Sequence, residues 1–251
     1  MAELHEICEF LDRELRIGEI PDYSGAINGL QLQSDGEVSK VAAAVDASLP
    51  VVQKAVDAGA DLLVVHHGMF WQGAQPIVGG YWQKLRTAME AGLAVYSAHL
   101  PLDVHPEWGN NHLLAKAIDL QISGGFLNWK GLSVGLLGDL EIEWPDLLAR
   151  VEMAVGSPIH GCHAGPGDVR KVGICTGGAG SQIAEAAAAG IDTFITGEGP
   201  HWSYPLAEEL GINVIYAGHY ATETFGVRKL GDVLAGRFGI QQCFIDHPTG
   251  L

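Results

Sequence analysis

Hydrophobic and polar positions follow two periods along the chain. Near the N-terminus Leu4, Ile7 and Leu11 recur at helical spacing between charged residues, which predicts a helix over 2–17. Short apolar runs such as 62–65 predict buried strands. The predicted strands are 41–45, 62–65, 94–97, 134–137, 171–175, 193–196 and 213–216. The predicted helices are 2–17, 50–58, 82–90, 110–118, 145–155, 181–189, 202–210 and a last one ending near 235. This alternation is typical of α/β units around largely parallel sheets.

The pattern of the first half recurs in the second. A shift of 131 residues places 41–71 on 172–202 without a gap. The identical pairs are Val41/Val172, Ala55/Ala186, Ala58/Ala189, Gly59/Gly190, Asp61/Asp192, Gly68/Gly199 and Trp71/Trp202. This similarity favours an internal repeat over two unrelated α/β units that share the same strand, loop and helix order.

The repeat extends into the next strand. With one inserted residue, 92–99 matches 211–219. The extension pairs His99 with His219 and Asp103 with Glu223. We therefore predict an α/β fold of two related halves, 1–124 and 125–251, that meet around Gly124-Gly125. Mainly parallel or mixed sheets flanked by helices are expected in both.

Composition excludes several classes of protein. The chain has 251 residues, of which 47% are hydrophobic and 18% charged, so it can bury a core and is not disordered. With 30 acidic and 14 basic residues the net charge is −16. Such an acidic chain is not expected to bind nucleic acid or anionic membranes in general, although a local site can still hold a small anionic substrate.

Targeting signals and cysteine patterns are absent from the sequence. The N-terminal residues carry charges throughout and lack an apolar signal region, and no apolar run reaches the length of a membrane span. The four cysteines form no C-x-x-C pair. We therefore expect a cytoplasmic protein with reduced, mainly buried cysteines rather than disulfides.

Three groups of polar residues follow predicted strands. His66 and His67 come directly after 62–65, and His99 and Asp103 follow 94–97. His219 and Glu223 follow 213–216, four residues apart at the start of a helix. Ligands of open α/β sheets gather at the carboxyl ends of strands. His105 and His112, in the second group, are expected to be solvated loop and helix residues.

Five of these side chains form a candidate metal-ligand set. His66, His67, Asp103, His219 and Glu223 supply three imidazoles and two carboxylates, enough for a two-metal centre with positions open for water. Mixed nitrogen and oxygen ligands suit two divalent cations of Zn, Fe, Mn or Co better than Ca, and the sequence leaves the identity open.

Ordered motifs across nearly the whole chain resemble those of the NIF-three-like dinuclear-metal family, also called GTP cyclohydrolase I type 2-like. The motifs are NGLQ at 28–31, VVHHGMFW at 64–71, HLPLD at 99–103, GNN at 109–111, TGGAG at 176–180, TGE at 196–198 and AGHYATE at 217–223. The resemblance implies the same five metal ligands, a dinuclear site between the two halves, and a ring-shaped homohexamer built from trimers. Gly68 departs from the family resembled, most members of which have proline there; glycine is expected to loosen this turn.

The leading functional hypothesis is a metal-dependent hydrolase that acts through a metal-bound hydroxide. The family name points to opening of the imidazole ring of GTP, although the chain has no P-loop. His99 and Glu198 are candidates for proton transfer or substrate orientation. The structural alternatives are that His99 makes a hydrogen bond within a loop and that Glu198 supports a metal ligand. Asn28 is expected to cap or turn the chain. The alternative function is a non-enzymatic metal-binding or interaction assembly.

Overall fold

This computed structural model, which describes residues 1–251, is built on two open sheets of five and six strands. The strands are β1 (Ala2–Glu3), β2 (Gly29–Leu32), β3 (Glu37–Val38), β4 (Lys40–Asp46), β5 (Leu62–His67), β6 (Ala94–Ser97), β7 (Gln121–Trp129), β8 (Leu132–Glu143), β9 (His160–Cys162), β10 (Asp168–Cys175), β11 (Thr193–Thr196), β12 (Asn213–Tyr216) and β13 (Gln241–Phe244).

Helices alternate with these strands. They are α1 (Leu4–Glu14), α2 (Leu49–Asp57), α3 (Gly79–Glu90), α4 (Leu100–Asp103), α5 (Asn110–Ala117), α6 (Trp144–Val155), α7 (Ile183–Ala188), α8 (Ser203–Leu210), α9 (His219–Thr222) and α10 (Thr224–Phe238). A short 3-10 turn, Gly180–Gln182, precedes α7. No helix has both the length and the apolar character that crossing a bilayer requires.

The first compact unit comprises 1–102 and 226–247. Its five-stranded sheet has the order β13-β4-β5-β6-β2, parallel except for β2 at one edge. The apolar residues of β4 and β5 are buried because the strands lie inside the sheet, and α2 and α3 pack against them through Val52, Ala55 and Ala88. A separate two-stranded sheet pairs β1 with β3.

The second compact unit comprises 103–225 and 248–251. Its six-stranded sheet has the order β7-β8-β10-β11-β12-β9, with a parallel centre of β10, β11 and β12. Two apolar clusters are built on this sheet. One includes Leu114 of α5 and Leu147 of α6, and the other Ile183 of α7 and Ala207 of α8. The predicted mixed α/β class, with sheets flanked by helices, is confirmed.

These units differ in extent from the predicted halves, 1–124 and 125–251. Gly124 and Gly125 lie inside β7, where they pair with Leu137 and Leu136 of β8. The segment 226–247 returns to the first unit, because β13 pairs with β4. Such a pairing between distant segments leaves no trace in local hydrophobic periodicity.

Strand registers match the predicted repeat. Val41 lies opposite Leu62 in the first unit, and Val172 lies opposite Thr193 in the second, each shifted by 131 residues. The parallel pairing then continues through a third strand, from β5 to β6 and from β11 to β12.

An aspartate makes the same contact in both units. Oδ2 of Asp61 accepts hydrogen bonds from the backbone N–H of Lys40, at 3.0 Å, and from that of the preceding residue, at 2.8 Å. Oδ2 of Asp192 accepts them from Lys171, at 2.7 Å, and again from the preceding residue, at 3.0 Å. Each aspartate thus binds the backbone directly before the first residue that pairs in parallel with the next strand, Val41 in one unit and Val172 in the other.

The cysteines agree with the sequence-based expectation. All four are free thiols, and Cys8, Cys162 and Cys175 are buried. Burial raises the pKa of the Cys8 thiol to about 12, with a further contribution from the charge of Asp12. Burial also raises the pKa of the Cys162 and Cys175 thiols, so the three buried cysteines are neutral, apolar core residues.

Candidate metal centre

Adjacent histidines end the central strand β5 of the first unit. The predicted strand 62–65 extends to 67, so His66 and His67 are its last two residues. His66 is completely buried and His67 is partly exposed, with their ring centroids 4.7 Å apart. Both imidazoles thus lie at the carboxyl end of a parallel strand, as predicted.

An acceptor holds the Nδ1 atom of each of these rings. Nδ1 of His66 lies 3.0 Å from the carbonyl oxygen of Ala98, and Nδ1 of His67 lies 2.9 Å from Oδ1 of Asp46. Asp46 ends β4 directly opposite His67 in the strand register. A proton on Nδ1 places the ring's lone pair on Nε2, which is the tautomer that binds a metal ion through Nε2.

His99 has the same arrangement. Its Nδ1 lies 2.9 Å from Oδ1 of Asp22, and its backbone N–H donates to Oδ1 of Asn28 at 2.8 Å. Oδ2 of Asp22 accepts hydrogen bonds from the Asn28 amide and from the N–H of Leu100, both at 2.9 Å. Burial alone would raise the pKa of Asp22, but the contacts with His99 and Asn28 lower it. Asn28 therefore links the Asp22 carboxylate to the backbone of His99, a contact between distant segments rather than the cap or turn that was expected.

The structure brings His99 together with the two adjacent histidines. One ring nitrogen from each of His66, His67 and His99 lies within 4.8 Å of the others. We call these three residues the histidine cluster. Three imidazole nitrogens at this spacing can hold one divalent cation. His99, predicted as a proton-transfer or orienting residue, therefore also has the position of a metal ligand.

Gln31 fixes the loop that follows the adjacent histidines. Its Oε1 accepts the N–H of Met69 at 2.7 Å, while its Nε2 donates to the carbonyls of Ala26 and Ile27 at 3.0 and 2.8 Å. A Cβ at Gly68 would collide with the Gln31 amide. The glycine that departs from the family pattern is therefore what allows Gln31 to approach, and these bonds brace the turn that was expected to be loose.

The second unit carries a histidine between two carboxylates. Nδ1 of His219 lies 2.9 Å from Oε1 of Glu198, and Nε2 lies 3.2 Å from Oε1 of Glu223. Burial alone would lower the pKa of His219, but Glu223 and Glu198 raise it to about 9. Positive charge is thus favoured at this position, and a cation can supply it.

Local backbone geometry sets this contact. Gly218 has φ +88° immediately before α9, a conformation that L side chains rarely adopt. The predicted continuous helix is instead divided, and Glu223 caps the C-terminal end of α9 rather than lying within it. His219 and Glu223 nevertheless meet, and the Glu223 side chain is 3% exposed.

Asp103 lies at the end of α4 with its carboxylate buried. Its Oδ1 accepts a hydrogen bond from the Asn110 amide at 2.8 Å and a longer one from the Thr176 hydroxyl at 3.5 Å. Asn111 accepts the N–H of Thr176 at 2.9 Å, which ties the start of α5 to the loop after β10. These hydrogen bonds orient the carboxylate, as is typical of carboxylates that bind metal ions.

The two remaining histidines of the second predicted group have other environments. His105 stacks on Trp108 at 4.4 Å between centroids, and its Nδ1 accepts the N–H groups of Glu107 and Trp108. It therefore stabilises a local turn. Burial lowers the pKa of His112, so that ring is not the solvated residue that was expected.

Sequence reasoning missed the carboxylates behind the histidines. Asp46 ends a strand, so the rule that selected His66 and His67 could have found it. Asp22 lies in a loop 77 residues from His99, and no local pattern points to it. Asn110 belongs to the GNN motif, although its contact with Asp103 was not predicted.

The comparisons with known proteins cover almost the whole chain. A family model described as Duf34/NIF3 (NGG1p interacting factor 3) matches residues 2–249. The chain belongs to the DUF34/NIF3 family. A DUF34/NIF3 relative from Deinococcus radiodurans, named GTP cyclohydrolase 1 type 2 homolog, is 43% identical over 98% of this chain and 94% of its own length. A protein of the same name from Pyrococcus horikoshii is 41% identical over 98% of both chains.

Solved structures share this DUF34/NIF3 fold. The protein ybgI, described as of unknown function, superposes with a TM-score of 0.92 at 34% identity, covering 99% of this chain and all of the other. TTHA1606 from Thermus thermophilus gives a TM-score of 0.86 at 37% identity, with 99% and 100% coverage. The resemblance inferred from the motifs is confirmed.

Proposed function

We propose that this DUF34/NIF3 chain binds two divalent cations through His66, His67, Asp103, His219 and Glu223, and that it is a metal-dependent hydrolase. One observation carries the proposal: each predicted histidine ligand has its Nδ1 held by an acceptor. The acceptors are a carboxylate for His67 and His219 and a backbone carbonyl for His66. Metal-binding histidines in general have this second contact, which fixes the ring and its tautomer.

The donor set fits divalent metal ions of the Zn, Fe, Mn or Co kind. Imidazole nitrogens and carboxylate oxygens both bind such ions, whereas Ca²⁺ favours oxygen alone. When bound, such ions lower the pKa of coordinated water and polarise a carbonyl or phosphoryl oxygen of a substrate. These effects are the ones that hydrolysis requires.

The remaining residues have distinct roles in this proposal. Asp22 holds Nδ1 of His99, so Nε2 of His99 is the atom that can accept or donate a proton. Glu198 contacts Nδ1 of His219, which supports an orienting role over the alternative of direct proton transfer. Asp46 orients His67 in the same way.

The relatives' names suggest the first reaction to test. Two relatives are named GTP cyclohydrolase 1 type 2 homolog, so hydrolytic opening of the imidazole ring of GTP is our specific proposal. Formate released from GTP should be measured with protein loaded with Mn²⁺, Fe²⁺ or Zn²⁺, against an H99N variant whose metal content is measured in the same preparation. Turnover that depends on metal and falls in H99N would support the proposal. Full metal occupancy without turnover would instead favour the non-enzymatic alternative.

We also propose that the chain forms the homohexamer implied by the resemblance. The edge strand β7 supports self-association, because its residues 121–125 are exposed and no strand covers its outer side. Native mass spectrometry should give six chains. A monomer at working concentration would contradict this assembly.

A further inference from the structure

A cavity of about 360 Å³ lies beside the loop that follows the adjacent histidines. Its walls belong to the first unit and include Leu49, Met69, Trp71, Gln75, Tyr81 and Lys84. Gly68, which follows His67 in the sequence, also lines it. This volume lies within the range of small-molecule sites, which are mainly apolar with a few polar groups.

Trp71 connects the cavity to the histidine cluster. Its ring meets His99 nearly edge-on, with centroids 4.7 Å apart at 84°, and His67 at 5.6 Å and 80°. The residue is 36% exposed although its ring packs on two histidines. A large, rigid aromatic surface in this position favours a flat ligand ring.

Lys84 supplies the positive charge of the cavity. Its Nζ donates to the carbonyl oxygen of Ala47 at 2.9 Å and lies 5.4 Å from the ring centroid of Tyr81. Burial lowers the pKa of this ammonium, which shows that partial loss of water costs the charged form free energy. A ligand anion near Nζ would offset that cost. In a chain of net charge −16, this one cation gives the cavity a preference for anions.

Space for the ligand is open next to Lys84. Gly80 lines the cavity one turn before Lys84 in α3, and a Cβ built there meets no atom within 4 Å. Gln75 also lines the cavity, and its amide, which donates to Oε1 of Gln72 at 2.7 Å, can bond to polar edges of a ring.

We propose that this cavity binds a planar aromatic compound that carries an anionic group, with the ring against Trp71 and the anion at Lys84. That this compound is the substrate rests on the proposed function, since the cavity adjoins the histidine cluster. Its binding does not depend on turnover.

Calorimetry on the full-length protein tests the assignment, with four probes. Naphthoate has both ring and carboxylate, naphthamide lacks the charge, cyclohexanecarboxylate lacks the flat ring, and naphthyl phosphate replaces the carboxylate with a phosphate. We expect naphthoate or naphthyl phosphate to bind about tenfold more tightly than either half-probe. Whichever of naphthoate and naphthyl phosphate binds more tightly shows whether the site prefers a carboxylate or a phosphate. Binding should persist after treatment with a chelator, which separates this site from the metal ligands.

Matched variants locate the site. W71L should remove the preference for a flat ring and K84M the preference for an anion, each with about a tenfold loss. The controls are W202L, the tryptophan equivalent to Trp71 in the sequence repeat, and K54M, whose Nζ instead bonds to the carbonyl of Asp246. Neither should change binding. G80L, which fills open space, should block it without touching the aromatic wall.

Three results would overturn the assignment. These are equal binding of charged and uncharged probes, binding unchanged in K84M and G80L, or complete loss of binding after chelation. Thermal melting of each variant identifies any that fail to fold, and K84M and G80L test the site independently of W71L. Absence of metal from the purified protein would refute the proposed function but leave this binding measurement intact.

Discussion

Oδ1 of Asp46 lies 2.9 Å from Nδ1 of His67, at the ends of two neighbouring parallel strands. The contact fixes which nitrogen of His67 carries the proton and which faces a ligand. Two further carboxylates, Asp22 and Glu198, hold His99 and His219 in the same way. In both units, therefore, a carboxylate lies within hydrogen-bond distance of Nδ1 of a histidine of the predicted site.

Loss of Asp46 should weaken metal binding without unfolding the protein. In D46A the His67 ring loses its acceptor, and we expect about a ten- to hundredfold lower affinity for the metal. Competition with a chromogenic chelator measures this. The control is D57A, an exposed aspartate at the end of α2. Equal affinities in D46A and wild type would contradict the orienting role.

Glu198 can be tested with two substitutions that separate its possible roles. In E198Q the amide oxygen can still accept the Nδ1 proton of His219, whereas E198A removes the acceptor. If Glu198 orients His219, metal affinity should fall more in E198A than in E198Q. If it transfers protons, E198Q should keep its metal and lose turnover. Metal content and formate release, measured on both variants, decide between these results.

The sequence predicts the buried strands and the candidate ligands, but not the contacts between side chains that are distant in the chain. Strands β6, β11 and β12 were predicted to the residue, because short apolar runs bounded by turns identify strands buried inside a sheet. The five candidate ligands lie at strand ends or shortly after them, which is why their positions could be proposed from the sequence. By contrast, β13 pairs with β4 and Asp22 contacts His99, and in both cases the partner is far away in the sequence. Strands β7 and β8 are half exposed, so their hydrophobic pattern is too weak to identify them.

The loop after the adjacent histidines should not tolerate a side chain at position 68. In G68A the new Cβ collides with the Gln31 amide, which must move and release the N–H of Met69. We expect a loss of about 1–3 kcal/mol in the free energy of unfolding. Urea denaturation of G68A, Q31A and the double variant forms a cycle. If the collision is the cause, the double variant should be less destabilised than the two single losses added together; simple additivity would rule it out.

The equivalent aspartates Asp61 and Asp192 should contribute similarly to stability. D61A and D192A each remove hydrogen bonds to two backbone N–H groups, so each should cost about 2 kcal/mol in the free energy of unfolding. D57A again serves as the exposed control. A loss in only one unit would show that the shared contact does not have a shared energetic role.

Asp61 should also make stability depend on pH. Burial alone would raise its pKa, but hydrogen bonds from Ser39 and Lys40 lower it below the ordinary value. Asp61 takes up a proton at higher pH in the unfolded chain than in the folded one. Its contribution to the free energy of unfolding is therefore complete above the ordinary carboxyl pKa of about 4. It is lost as pH falls through the lower folded value. The difference in unfolding free energy between wild type and D61N should therefore shrink in acid; a difference independent of pH would contradict this account.

Anomalous diffraction from crystals of the protein loaded with Mn²⁺ or Zn²⁺ tests the central claim most directly. We predict two peaks per chain, with Nε2 of His66, His67 and His219 as nitrogen ligands and each Nδ1 still on its present acceptor. No peak at these residues, or a metal bound through Nδ1 with the carboxylate contacts broken, would contradict the account.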